Sequence, residues 1–160
     1  FYGNTAVLAK AYTYILTMGS DGLQRASELA VLNANYLKEK LKGRYYLPYD
    51  QVCKHEFVFS AEKMKEEHGV TATDVAKGLL EFGIHAPTIY FPLIVHESMM
   101  IEPTETESKE SLDNFIEVMN QIADLAEKDP DKLHAMPLST PIRRVDQVQA
   151  AKNPVLRWQP

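Results

Sequence analysis

The stretch Lys54-His55-Glu56-Phe57-Val58-Phe59-Ser60-Ala61 alternates between two faces, with His55, Phe57 and Phe59 on one and Glu56, Val58 and Ser60 on the other. Period-two alternation with aromatic and β-branched residues predicts a half-buried strand over 54–61. A helix start of the capping type follows at Thr71-Ala72-Thr73-Asp74, where a hydroxyl and a carboxylate three residues apart satisfy each other's free backbone N–H groups. Val75, Leu79 and Phe82 then share a face, and Gly83 is placed to stop the helix. Strand, short link, helix: this unit decides the fold class.

Working outward, a proline-punctuated segment covers His85 to Pro92, and a second strand is expected from Ser98 to Glu102. Ser108 caps a further helix with the stripe Leu112, Phe115, Met119, Ile122 and Ala126, ended by Asp129-Pro130. Towards the amino terminus, Leu8, Tyr12, Ile15 and Leu16 fall at helical spacing, and Met18-Gly19-Ser20-Asp21-Gly22 interrupts the pattern. A second helix runs from about Leu23 to Lys42 along Leu23, Ala26, Ala30, Ala34, Leu37 and Leu41, which makes the pair an αα-hairpin. Asn33 and Asn35 sit mid-helix, where asparagine is a poor choice unless its side chain has a polar partner. Tyr45-Tyr46-Leu47-Pro48-Tyr49 reads as a short extended piece at a sheet edge. The expected architecture is α+β, an αα-hairpin followed by a small sheet covered by helices on one face. It divides into residues 1–43, the helical hairpin; 44–130, a small α+β domain; and 131–160, an extended basic carboxy-terminal arm.

The 160 residues carry 17 basic and 22 acidic side chains, a net charge of −5, so no general nucleic-acid-binding surface is advertised. The charge is unevenly spread: residues 97–131 hold 11 acidic against 2 basic groups, and residues 132–160 hold 5 basic against 1 acidic. The single cysteine, Cys53, excludes an intrachain disulfide. The longest uncharged apolar stretch, Ile84 to Val95, is interrupted by Pro87 and Pro92 and is too short for a membrane helix, so a cytoplasmic chain is expected. The sequence opens at Phe1 almost within a helical pattern, and is read as a fragment of a longer protein.

Complete catalytic motifs are absent. Neither His55-Glu56 nor His96-Glu97 has a second histidine four residues after the first, so no metalloprotease helix exists and no metal is expected. There is no Gly-x-Ser-x-Gly elbow and no glycine-rich phosphate loop. Two stretches carry more chemistry than plain structure needs. Gly83-Ile84-His85-Ala86-Pro87-Thr88 puts an imidazole, a proline corner and a hydroxyl in one loop, and Ile101-Glu102-Pro103-Thr104-Glu105-Thr106-Glu107 collects carboxylates and hydroxyls before a helix. Glu105 and Glu107 also suit the positive end of that helix, and His55 suits packing inside the sheet.

Taken in order, Ala30-Val31-Leu32-Asn33-Ala34-Asn35-Tyr36, His55-Glu56-Phe57, Gly83 to Thr88 and Ile101 to Glu107 resemble the glycine cleavage system P-protein family, in the carboxy-terminal part of subunit 2 of its split form. Thr140-Pro141-Ile142-Arg143-Arg144-Val145-Asp146 and Pro154-Val155-Leu156-Arg157-Trp158 resemble the tail of that subunit. The resemblance implies the small carboxy-terminal domain of an aspartate-aminotransferase-like (fold type I) enzyme that decarboxylates glycine on pyridoxal phosphate and passes the aminomethyl group to the lipoyl arm of the H-protein. The implied partners are the missing amino-terminal large domain, subunit 1, lipoylated H-protein and glycine. The lysine that would carry the cofactor has no counterpart motif in this sequence, so the chain alone is expected to be inactive and to bind no pyridoxal phosphate. His85 and Thr88 are expected to reach the cofactor or substrate side of an active-site wall, Glu102, Thr104 and Glu105 to shape the adjoining loop, and Asn4 and Thr5 to lie near the domain junction. Read without the resemblance, the residues equally suit a freestanding α+β binding or regulatory domain acting through its acidic helix and basic arm.

Overall fold

A computed structural model of the protein describes residues 2–158. The last two residues of the expected arm lie outside the described residues. The first element, α1 (Thr5–Leu41), is capped by Asn4, whose side chain accepts from the N–H groups of Ala6 and Val7. The expected pair of helices is present, but Gly19 alone joins them in place of a five-residue turn. Only Gly19 leaves helical geometry, at φ 62° and ψ −174°, a conformation open to glycine without a Cβ penalty. The consequence is a sharp bend. Tyr14 donates to Glu105 (3.3 Å) and Asn33 donates to the backbone carbonyl of Thr104 (2.9 Å), although a straight helix would hold Tyr14 and Asn33 about 28 Å apart. The two arms therefore converge on one loop.

After α1 the chain forms β1 (Phe57–Ser60), α2 (Glu62–His68), α3 (Ala72–Glu81), β2 (Thr88–Ile89), β3 (Ser98–Ile101), α4 (Lys109–Lys128), α5 (Pro130–Ala135) and α6 (Gln147–Lys152). The sheet is antiparallel in the order β1-β3-β2. Tyr46 adds one bridge to Ser60 on the outer side of β1, where the sequence places the extended piece with Pro48. Register places Phe57 opposite Ile101 and Phe59 opposite Met99, and all four side chains are buried. Val58 and Met100 pair on the other face and are only half-buried. The helices thus cover one face, and α4 is the hub against which α1, α2, α3 and α5 pack. α3 comes closest where Gly78 faces α4 and α5, since a Cβ there would stand 2.9 Å from Leu133 Cδ1 and 3.1 Å from Ile122 Cδ1.

The structure differs from the sequence reading in three further places. The strand begins at Phe57, and His55 lies before it, exposed, rather than packed with Phe57 and Phe59. Phe82 caps the end of α3 and is exposed instead of joining the stripe of Val75 and Leu79. The segment after 130 is not simply an extended arm: α5 is helical, with Leu133 in the core. The tail after it is then tied down. Glu81 accepts from the N–H groups of Leu138 and Ser139, while Arg144 donates to the carbonyls of Leu133 and Met136 and to the Asp74 carboxylate (2.7 Å). Asn33 and Asn35 find their partners inside this chain. Asn35 makes two bonds to the backbone of Cys53, donating to its carbonyl (2.8 Å) and accepting from its N–H (3.1 Å), which pins the 44–56 loop to α1.

Asp74 is the most heavily engaged buried carboxylate. It accepts from the N–H (2.8 Å) and hydroxyl (2.6 Å) of Thr71, and faces His134 (3.3 Å) and Arg144. Burial alone would raise its pKa, but the bonds from Thr71, His134 and Arg144 outweigh it and hold the carboxyl below its ordinary value. A depressed folded pKa contributes stability above the unfolded value, and that contribution is lost as pH falls through the folded one. The urea midpoint is therefore expected to drop as pH is lowered below about 4, with a shallower drop in Asp74→Asn. Equal slopes for the two proteins would remove Asp74 from the acid transition.

Candidate functional site: a cleft between two loops

The end of α3 and the start of β2 place Gly83–Thr88 beside the end of β3, because β2 pairs with β3 as Thr88↔Met100. Gly83 takes φ 74° after Phe82 ends the helix, and this turns the chain sharply into the loop. A cleft of about 570 Å³ opens between the two loops. His85, Pro87 and Thr88 line it from one side, Glu102, Pro103 and Thr104 from the other, and Leu112 and Phe115 of α4 supply an apolar floor. Four sequence-predicted residues, His85, Thr88, Glu102 and Thr104, are thus brought together from the two ends of the β2–β3 hairpin.

The other predicted residues stand elsewhere. Glu105 does not line the cleft; its carboxylate accepts from Tyr14, so it braces the loop from behind. Asn4 and Thr5 are at the start of α1 and do not line the cleft either, Asn4 being occupied as the helix cap. Glu107, which the sequence places at the positive end of α4, does line it, and so do Ser111 and Asn114, which sequence reading missed because they belong to the first turns of α4. The loop itself is rigidly built: Asn33 holds the Thr104 carbonyl, the hydroxyls of Thr104 and Thr106 meet at 2.7 Å, and the Glu107 N–H returns to the Thr104 carbonyl. At the rim, His55 Nε2 stands 3.9 Å from Glu102 Oε1.

Chemically the cleft offers an exposed imidazole, two carboxylates and several hydroxyls over an apolar floor. Such a surface can orient a small polar ligand and exclude water on one side. Among the described residues no group of three His, Cys, Asp or Glu side chains could hold a metal ion. No helix there is long and apolar enough to cross a membrane.

A family model described as "Glycine dehydrogenase, C-terminal domain" matches residues 26–138, which include both loops of the cleft. The chain belongs to the glycine dehydrogenase C-terminal domain family. Relatives of this family extend the match to almost the whole chain. A protein of Staphylococcus haemolyticus is 61 % identical over 158 residues, one of Thermotoga petrophila 58 % over 158, and one of Thermococcus onnurineus 58 % over 159. The matches cover 99 %, 99 % and 98 % of this chain, but only 32 %, 33 % and 32 % of those proteins. Each is named a probable glycine dehydrogenase (decarboxylating) subunit 2. The chain spans about a third of the length of these glycine dehydrogenase relatives. Membership in this family takes the place of the reading as an unrelated binding domain.

Proposed function

We propose that the chain is the carboxy-terminal domain of a cytoplasmic glycine decarboxylase dependent on pyridoxal phosphate, and that its cleft is one wall of the active site. The supporting observation is the convergence of His85, Thr88, Glu102 and Thr104 on one cleft, in a chain of this family. In the whole enzyme the substrates are glycine and the lipoyl arm of the H-protein, and subunit 1 is the partner.

The cleft does not fit the cofactor's own attachment. Its lining holds no lysine to form a Schiff base and no arginine to face a phosphate, and its ionised groups are the carboxylates Glu102 and Glu107. A phosphate dianion placed there would meet like charge. Attachment of pyridoxal phosphate therefore falls to the parts of the subunit outside this chain. What this chain's residues do is positional: His85 and Thr88 present hydrogen-bonding groups, while Asn33 and Tyr14 hold the Thr104–Glu105 loop that faces them.

The test is His85→Ala in the full-length subunit assembled with subunit 1 and lipoylated H-protein. His85 is exposed, so stability should change little. The exchange of CO₂ with the glycine carboxyl should lose at least about tenfold in kcat/KM, as removal of a positioned polar contact does. Unchanged exchange removes His85 from the active-site wall.

A further inference from the structure

The turn that joins β2 to β3 carries an exposed apolar tip on an unusually constrained base. It runs Tyr90-Phe91-Pro92-Leu93-Ile94-Val95-His96-Glu97. Leu93 is 84 % and Ile94 77 % exposed, with Tyr90 and Phe91 also in water. Nothing between Tyr90 and Val95 is charged. A flexible loop could fold such side chains inward, but this one is held. Tyr90 and Glu97, at its two ends, both adopt positive φ, 59° and 47°, a conformation that non-glycine residues keep only when their surroundings impose it.

The surroundings do impose it. The Tyr90 N–H donates to the Ser98 carbonyl (2.9 Å) and its phenol meets the Thr73 hydroxyl (2.9 Å). Ser60 donates to the His96 carbonyl (2.6 Å), and the Ala61 N–H donates to that of Glu97 (3.0 Å). The Glu97 side chain is buried, with Lys65 on one oxygen (2.5 Å) and the Ala72 N–H on the other (2.9 Å). Val95 plugs the inside of the turn. Four elements thus brace a loop whose tip, Leu93 and Ile94, stays largely in water.

We propose that this tip is a preformed peg that docks onto the two thirds of the subunit lying outside this chain. The chain accounts for only 32–33 % of its relatives' length, so a body about twice its size belongs to the same polypeptide. An uncharged patch with leucine and isoleucine this exposed has the composition of a permanently covered surface, and transient contacts carry more charge. A body on the same chain meets the tip at high effective concentration. The inference rests on the family's length and not on the catalytic reading of the cleft.

The experiment places a photo-crosslinking residue in the full-length subunit with subunit 1 present, as Leu93→benzoylphenylalanine, which keeps the tip apolar. Irradiation and peptide mapping should give a dominant crosslink within the same polypeptide, to a residue outside these 160. A crosslink to subunit 1 or to a second copy overturns the proposal in favour of an intersubunit contact, and the absence of any crosslink overturns it in favour of a solvent-exposed loop. In parallel, Leu93→Asp with Ile94→Asp should lower the melting temperature of the full-length subunit by about 5 °C, and an unchanged value would count against docking. Glycine exchange by the unsubstituted enzyme is measured alongside, so a failed functional reading stays distinguishable from a failed peg.

Discussion

Phe59→Ala is expected to lower the unfolding free energy by about 3–5 kcal/mol, the range for removing a large buried aromatic side chain. Phe59 is fully buried at the centre of β1, opposite Met99 on the next strand. Its ring meets Phe57 edge-on at 5.1 Å and Tyr45 at 5.7 Å. Tyr45 in turn donates from its buried hydroxyl to the Met119 carbonyl of α4 (2.8 Å). Removing the Phe59 ring therefore opens a cavity where sheet, edge segment and hub helix meet, and the cavity adds to the lost transfer energy. Against a typical total of about 5–15 kcal/mol, this is a large fraction. Urea titration should show the midpoint falling far below that of the parent, whereas a loss under about 1 kcal/mol would place the core elsewhere.

The parts of this fold that are legible in the sequence are those whose cause is local. Thr71 with Asp74 and Ser108 with the Ser111 N–H cap the helices that their positions predict, because a side-chain oxygen near a helix start has one obvious use. Gly83 and Asp129-Pro130 mark the expected ends, since positive φ and a missing N–H act within a residue or two. α2 is invisible for the opposite reason. It buries none of its residues and so carries no apolar stripe. β2 is two residues long and exists only through its pairing with β3. The break in α1 is visible, but a loop of five residues and a bend at Gly19 alone leave the same sequence signal.

The candidate site is legible in halves. Each loop looks over-furnished for structure, but their meeting depends on the β2–β3 register, which no local pattern encodes. The misfit of Asn33 in a helix is a correct sign of a polar partner, while the partner, the Thr104 carbonyl, lies 71 residues away in sequence. Glu105 groups with the wall by proximity, yet the bend at Gly19 delivers Tyr14 to it and takes it out of the cleft lining. His55 misleads because the alternation extends two residues past the point where β1 begins.

The other large effect is all-or-none and concerns the chain in isolation. The isolated chain is expected to show no glycine decarboxylation and no CO₂ exchange, because its cleft provides no lysine for a Schiff base. Three of its 12 lysines are engaged in other ways. Lys38 is buried against the Gln51 carbonyl, Lys65 is bound to Glu97, and Lys109 is bound to Asp113. Hydrogen bonding to the partner carboxylate raises the pKa of Lys65 and of Lys109, which favours the charged ammonium over the free amine that an imine needs. Adding pyridoxal phosphate should therefore produce only weak, scattered adducts. Turnover by the isolated chain would overturn the assignment of the cofactor to the rest of the subunit.

The most direct test is borohydride reduction of the full-length holoenzyme followed by peptide mapping of the pyridoxyl-lysine. If this chain is a wall that shapes the site without holding the cofactor, one stoichiometric label should appear on a lysine outside these 160 residues. A stoichiometric label on any lysine between Lys10 and Lys152 would contradict the account.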